Sequence, residues 1–286
     1  MNIVLLLISI LTFVLGISCL LIEIYIFKKA PFLEVNCSNK PINTSLTVII
    51  PAYNEEINII KCLNSLNKIS RPSIQFKILV VDDSSDDKTL LEVENFKNQV
   101  FKNPEELVII SSGPRPTDKK WVGKNWPCYV GSKEINSEWI LFIDADVVVG
   151  EDCIRKALAK ASKDNIDLLS LAPKVNCNCF AEWMVQPIMT SLLMIGFPIS
   201  DTNDKSSDIA FAAGPFMLFK TASSASIWRA IVAICVGVPA PLLPLVRLRV
   251  PSWRACGGVV SYHPHMRRCR LPPAWQTRCR TLGHHR

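Results

Sequence analysis

From Ser45 onward, apolar and polar positions alternate between two periods. Leu46–Ile50, Ile78–Val81, Leu107–Ile110 and Ile140–Ile143 are short, β-branched-rich apolar runs and predict buried strands. Between them, Glu56–Asn67 sets Ile57, Ile60, Leu63 and Leu66 along one stripe of a helix, and Asp87–Lys97 and Cys153–Ser162 follow the same pattern. Strands that alternate with helices predict an α/β fold with a mostly parallel sheet flanked by helices. Two longer apolar stretches break the alternation. Ile3–Ile22, extended by Ile24–Phe27, is long enough to cross a hydrocarbon core of ~30 Å. Met184–Ile199 contains Gln186, Pro187 and Pro198, which favours an interfacial or core helix over a second span.

For the first stretch, a cleaved signal peptide is the rival to an anchor. No basic residue precedes the run, it is longer than a signal-peptide core, and no small-residue cleavage site follows, so an anchor over 1–27 is the expectation. Lys28 and Lys29 follow the run, and a basic flank on that side places the remainder in the cytoplasm, giving a single-pass membrane protein. The eleven cysteines then fall in a reducing compartment, and their scattered spacing does not read as a disulfide framework.

Composition changes the picture along the chain more than in total. The 286 residues carry a net charge of +7 and are 49% hydrophobic, too apolar for a disordered chain. Residues 221–286 hold ten Arg and all four His, and no Lys, Asp, Glu or Asn, while the first 220 residues are mildly acidic. The net charge is therefore a property of the tail and says little about partners. Ile231–Val246 is apolar but broken by Pro239, Pro241 and Pro244, which makes a poor span. A basic arm for anionic lipid or nucleic acid and a zinc site drawn on Cys256, Cys269, Cys279 and the four His are alternatives for the tail, but no CxxC or HxxxH pairing appears. The favoured reading is an atypical basic segment, frameshifted or unstructured, with no nucleic-acid partner. The expected organisation is an anchor over 1–27, a linker over 28–44, a domain over 45–220 and this tail over 221–286.

In an open parallel sheet, ligands bind at the carboxyl ends of the strands. Three of the predicted strands end in polar sets there: Pro51-Ala52-Tyr53-Asn54-Glu55-Glu56, Asp82-Asp83-Ser84-Ser85-Asp86-Asp87 and Asp144-Ala145-Asp146. Any one of them reads as helix capping, and Asp87 before Lys88 suits that role well. Together they gather carboxylates that repel one another unless a cation neutralises them. Asp144-x-Asp146 is a natural half-site for Mg²⁺ or Mn²⁺, which take oxygen ligands and complete their shells with substrate phosphates. Trp121-Val122-Gly123-Lys124-Asn125-Trp126 reads as a loop presenting Lys124 to phosphate.

The order VIIPAYNEE, VVDDSSDDKT, WVGKNWPC, FIDADV, AFAAGPFMLF resembles the family 2 glycosyltransferases of GT-A fold, in particular the membrane-anchored branch associated with hopanoid and carotenoid glycosylation. The resemblance implies transfer of a sugar from a nucleotide-sugar donor, usually UDP-linked, to a hydroxyl of a lipid-like acceptor. It implies that Pro51, Ala52, Tyr53 and Glu55 line the nucleotide pocket, that Asp83 meets the base edge, with Asp82 as the weaker candidate, and that Lys124 faces the base or diphosphate. Asp146 becomes the metal-binding carboxylate of a DxD motif, Asp144 holds the ribose or completes the metal site, and the backbone around Gly214 faces the acceptor. The family follows the last segment with a Glu-Asp motif that supplies the general base. This chain has no Asp or Glu after Asp208, which leaves Asp201, Asp204 or Asp208 as substitutes or else a chain whose transfer is impaired. A non-catalytic nucleotide-sugar-binding or scaffold membrane protein is the alternative. A nucleotidyltransferase is disfavoured because PAYNEE is not a Gly-rich, basic phosphate loop.

Overall fold

The structure, a computed structural model, describes residues 3–29, 33, 40–101, 103, 105–116, 121, 123–172, 174–175, 179–196, 212–221, 248–249 and 260–262. In chain order the elements are α1 (Ile3–Lys29), β1 (Ile42–Ala52), α2 (Ile59–Lys68), β2 (Ser73–Asp82), α3 (Thr89–Val100), β3 (Leu107–Ser111), α4 (Asn125–Lys133), β4 (Trp139–Ile143), β5 (Val147–Val149), α5 (Cys153–Lys163), β6 (Leu168–Ser170), β7 (Lys174–Val175), α6 (Phe180–Gly196), β8 (Phe216–Lys220), β9 (Leu248–Arg249) and β10 (Val260–Tyr262).

The four predicted strands form the heart of a sheet ordered β3-β2-β1-β4-β8-β6-β9. β3, β2, β1 and β4 run parallel, β8 is antiparallel to both β4 and β6, and β9 is parallel to β6. A smaller sheet has the order β5-β10-β7. The runs are continuously apolar because both sheet faces are covered. On one face Val48, Ile50, Ile78, Val80 and Leu141 pack with Leu63, Leu66 and Val93 of α2 and α3; on the other Ile49, Leu79, Val81 and Phe142 pack with Cys128 of α4 and Phe219 of β8. Chain order reverses between β1 and β4, and that switch point opens a crevice at the carboxyl ends of the strands.

The helix starts differ from the sequence reading for local reasons. α2 begins at Ile59 rather than Glu56 because the backbone N–H groups of Asn58 and Ile59 both donate to the Glu55 carbonyl, at 3.0 and 2.9 Å, closing a turn first. α3 begins at Thr89 with Lys88 as its N-cap, and Asp87, one residue earlier, accepts the Thr89 backbone N–H at 2.9 Å. Burial pushes the Asp87 carboxyl up, but the hydrogen bonds from Thr89 and Glu56 outweigh this and hold it below its ordinary value.

The loop expected at Trp121–Trp126 is corrected in its second half. Asn125 and Trp126 open α4, with Pro127 in the first turn, where its missing N–H costs nothing. Gly131 lets α4 lie against the sheet: a Cβ there would sit 2.9 Å from Val81 Cγ2 and 3.0 Å from Ile49 Cγ2. The Met184–Ile199 run is helical through Gly196, with 197–199 outside the described residues, but it is not a core helix, since Met184, Val185, Ile188, Met189, Leu192 and Leu193 are exposed. α1 is one unbroken helix of 27 residues, and Ile3–Ile22 is long and apolar enough to cross a membrane, with none of that stretch buried in the protein. Leu33, within the stretch read as a linker, is buried in the main core. Apart from Thr221, β9 and β10, the tail lies outside the described residues, as do Asp201, Asp204 and Asp208.

Gly131→Val forces branched carbons against Val81 and Ile49 and is expected to destabilise the fold by about 2 kcal/mol. Chemical denaturation of the variant beside the parent chain checks this.

Candidate nucleotide and metal cleft

Eight of the residues named from the sequence come together. Pro51, Ala52, Tyr53, Glu55, Asp83, Lys124, Asp144 and Asp146 line one cleft of about 450 Å³ at the switch point, together with Arg115 and Gly123. The volume lies within the range usual for small-molecule sites.

Two loops form its floor as one unit. The loop after β1 turns at Asn54, whose φ is +56°, and the loop after β2 turns at Ser84, φ +64°. The Asn54 N–H donates to Ser85 Oγ at 3.1 Å, the Asp86 N–H to Asn54 Oδ1 at 2.9 Å, the Glu55 N–H to Thr89 Oγ1 at 2.7 Å and the Lys88 N–H to Glu56 Oε2 at 3.1 Å. Asn54, Ser85, Asp86 and Glu56 are therefore spent on holding the loops. Tyr53 is left half exposed above them.

Asp83 lies at the mouth of β2, where its carboxylate accepts from Ser112 Oγ at 2.8 Å and pairs with Arg115. Arg115 also donates to the Gly123 carbonyl at 3.0 Å. Asp82 turns away: it is buried, one of its carboxylate oxygens accepts the Ser85 N–H, and the other has no hydrogen-bond partner. Sequence reasoning singled out neither Arg115 nor Ser112. The available signal was that Arg115 is one of only three arginines in the first 220 residues and follows the Gly113-Pro114 turn.

Trp126 secures that turn, its indole N–H reaching the Ser112 and Gly113 carbonyls at 3.0 and 3.1 Å while its ring packs on Trp121 with centroids 5.0 Å apart.

Lys124, at the start of α4, reaches across the cleft to form an ion pair with Asp144. Its Nζ also lies 3.5 Å from the Gly214 carbonyl, and a Cβ on Gly214 would come within 3.3 Å of that Nζ, so the small residue keeps the lysine's path open. Asp144 and Asp146 sit in the bend after β4, where the Val147 N–H donates to the Asp144 carbonyl at 3.1 Å.

Asp146 is the exception among the carboxylates that line the cleft. Its Oδ1 is buried and has no hydrogen-bond partner. Burial, then the charges of Asp144 and Glu55, push its carboxyl up to about 7, against smaller pulls from its own backbone N–H and from Lys124. Burial and the charges of Asp146, Asp144 and Glu55 also push the Cys62 thiol up, so it stays neutral beside the bend.

An orphaned, partly desolvated oxygen facing like charges is what a divalent cation relieves, so the residues present fit a metal. Among the described residues no group of three or more His, Cys, Asp or Glu is placed to hold one alone. The fit is to a half-site whose remaining ligands come from a bound phosphate and water.

Because the folded-state Asp146 titrates near 7 against 3.8 in the unfolded chain, the folded state holds the extra proton between those values. Stability falls as pH rises through that window, and the penalty is complete above it. Asp146→Asn, which mimics the protonated acid, is expected to melt at a higher temperature than the parent at pH 8 in chelator. The difference should shrink toward pH 4. Thermal unfolding at the two pH values reads it, and Mn²⁺ should raise the melting temperature of the parent only.

Comparison with known proteins agrees with this geometry. The profile of the family described as "Glycosyl transferase family 2" matches residues 47–228. Poly(ribitol-phosphate) beta-N-acetylglucosaminyltransferase TarS of Staphylococcus aureus is 34% identical over 128 residues, covering 45% of this chain and 21% of that protein. The 4,4'-diaponeurosporenoate glycosyltransferase of Staphylococcus haemolyticus is 30% identical over 131 residues, covering 45% of this chain and 32% of its relative. The chain thus spans a third or less of these relatives' lengths. In fold it is similar to the mannosyltransferase PcManGT of Pyrobaculum calidifontis, solved with GDP-Man and Mn²⁺, at 18% identity and a TM-score of 0.51 over 74% of this chain and 54% of that one. The architecture is that of the GT-A fold, and with the family profile matching well over half of its length the chain belongs to glycosyl transferase family 2.

Proposed function

We propose that the cleft binds a nucleotide-sugar, specifically a UDP-sugar, together with Mg²⁺ or Mn²⁺ at Asp146, and that the chain serves sugar transfer to a hydroxyl of a lipid-like acceptor. The observation that carries this reading is the orphaned Asp146 oxygen, set in one cleft with Lys124, Arg115 and three further carboxylates. Asp83 is an acceptor held by Ser112 and Arg115, suited to an imide N–H such as that of uracil. Tyr53, with Pro51 and Ala52 behind it, offers a face for the base, and Glu55 lies toward the ribose. Lys124 exchanges Asp144 for the diphosphate, which frees Asp144 for the ribose or the metal. When bound, the cation stabilises negative charge on the departing diphosphate.

The acceptor side supports a narrower statement. A displacement at the sugar needs a group to take the hydroxyl proton, and residues 209–286 contain no carboxylate. We therefore read the chain as competent for the donor and impaired in transfer, over a domain of 45–220 followed by an atypical tail. The exposed apolar α1 supports attachment to a membrane, and Lys28 and Lys29 at its end support a cytoplasmic domain. A membrane-attached domain favours a lipid-like acceptor, and one relative is named for 4,4'-diaponeurosporenoate.

Isothermal titration of the full chain in detergent with UDP should show binding with Mn²⁺ present, and loss of that binding in chelator and in Asp146→Ala. Asp83→Ala should weaken binding roughly tenfold, the scale of one hydrogen bond to a charged group. UDP binding indifferent to both metal and Asp146 contradicts the site. A labelled UDP-sugar should give transfer near background to lipid extract; robust transfer overturns the impairment, and an absence of UDP binding favours a scaffold.

A further inference from the structure

α6 is patterned inside out. Glu182, Gln186 and Thr190 recur every fourth residue and are the least exposed side of the helix, with Glu182 buried. Phe180, Trp183, Met184, Val185, Ile188, Met189 and Leu192 occupy the rest of the circumference, each at least half exposed. From Trp183 to Gly196 there is no charged residue. A helix at the surface of a water-soluble domain carries the opposite pattern, apolar toward the protein and polar toward solvent. Leaving seven large apolar side chains in water forgoes the hydrophobic stabilisation that burying each would bring.

We propose that α6 lies in the membrane interface as a second attachment point, with its apolar arc in the acyl boundary and its polar stripe toward the domain. This rests on the membrane attachment proposed for α1. Three observations choose a bilayer over a protein partner. The apolar arc runs around more than half of the helix, wider than one packed surface covers, whereas lipid surrounds it. At 17 residues, about 25 Å, the helix is too short for a comfortable span yet long enough to lie in the plane. And the bilayer is close by: α1 ends at Lys29, while Leu33 is already buried in the core, so at most about 14 Å of chain separates the membrane anchor from the domain. The stacked pair Phe180 and Trp183, with ring centroids 6.2 Å apart, stands at the helix start, where aromatic side chains suit the headgroup level.

The test reads Trp183 in the full chain reconstituted into phosphatidylcholine–phosphatidylglycerol vesicles, with and without lipid brominated near the headgroup end of the acyl chain. The emission of the parent minus that of Trp183→Phe isolates this side chain. The expected result is a severalfold loss of the Trp183 contribution in brominated vesicles. Ile188→Lys combined with Leu192→Lys should stay in the vesicles through α1 and retain Mn²⁺-dependent UDP binding, but lose the quenching. A Trp183 contribution unaffected by bromine overturns the inference, whether the helix faces water or another protein, and so does quenching that survives both lysines. Failure of the chain to float with vesicles removes the α1 reading and this one together, whereas flotation without quenching removes this one alone.

Discussion

Like charges brought to the carboxyl edge of β1, β2 and β4 have to be neutralised, and the means of doing so organise the rest of the domain. Four carboxylates line the cleft, Glu55, Asp83, Asp144 and Asp146, against two cations, Arg115 and Lys124. Arg115 and Ser112 serve Asp83, Lys124 serves Asp144, and Glu55 accepts from the Asn58 side chain at 3.0 Å. Each of these donors comes from a segment whose position is fixed elsewhere: the 112–115 turn by the Trp126 indole, Lys124 by the packing of α4 through Gly131, Asn58 by the turn that starts α2. Of the four, Asp146 is the one with a buried carboxylate oxygen, Oδ1, that no donor reaches. Its raised titration is the electrostatic form of that shortfall, and it makes the site one that a divalent cation would fit.

Much of this was legible in the chain itself. β1 to β4 were marked by buried apolar runs, and the carboxylate sets after them fell at the switch point, because a parallel sheet with both faces covered writes its strands as unbroken hydrophobic segments and leaves polar residues to their ends. The parts that were not legible depend on contacts distant in sequence. α4 is nine residues with Pro127 and Gly131 inside it, a composition that reads as loop; it is a helix because Gly131 allows close approach to Val81 and Ile49. Arg115 sits in a turn without periodicity, and its role appears only when β3 is laid beside β2. In α6 the hydrophobic content was visible, but whether its apolar side faces inward or outward is not encoded in periodicity.

The same physics joins the two ends of the described domain. A sheet edge crowded with carboxylates calls for a cation and a charged donor from water, while α1 and the outward face of α6 call for an apolar phase. The +7 of the whole chain belongs to neither demand, since it resides in residues 221–286.

Whether Asp146 bears the metal is read most directly by manganese anomalous scattering from crystals of the chain grown with UDP and Mn²⁺. The expected result is one anomalous peak within bonding distance of an Asp146 carboxylate oxygen and the UDP diphosphate, with Lys124 drawn away from Asp144. UDP seated in the cleft with the manganese remote from Asp146 would contradict it.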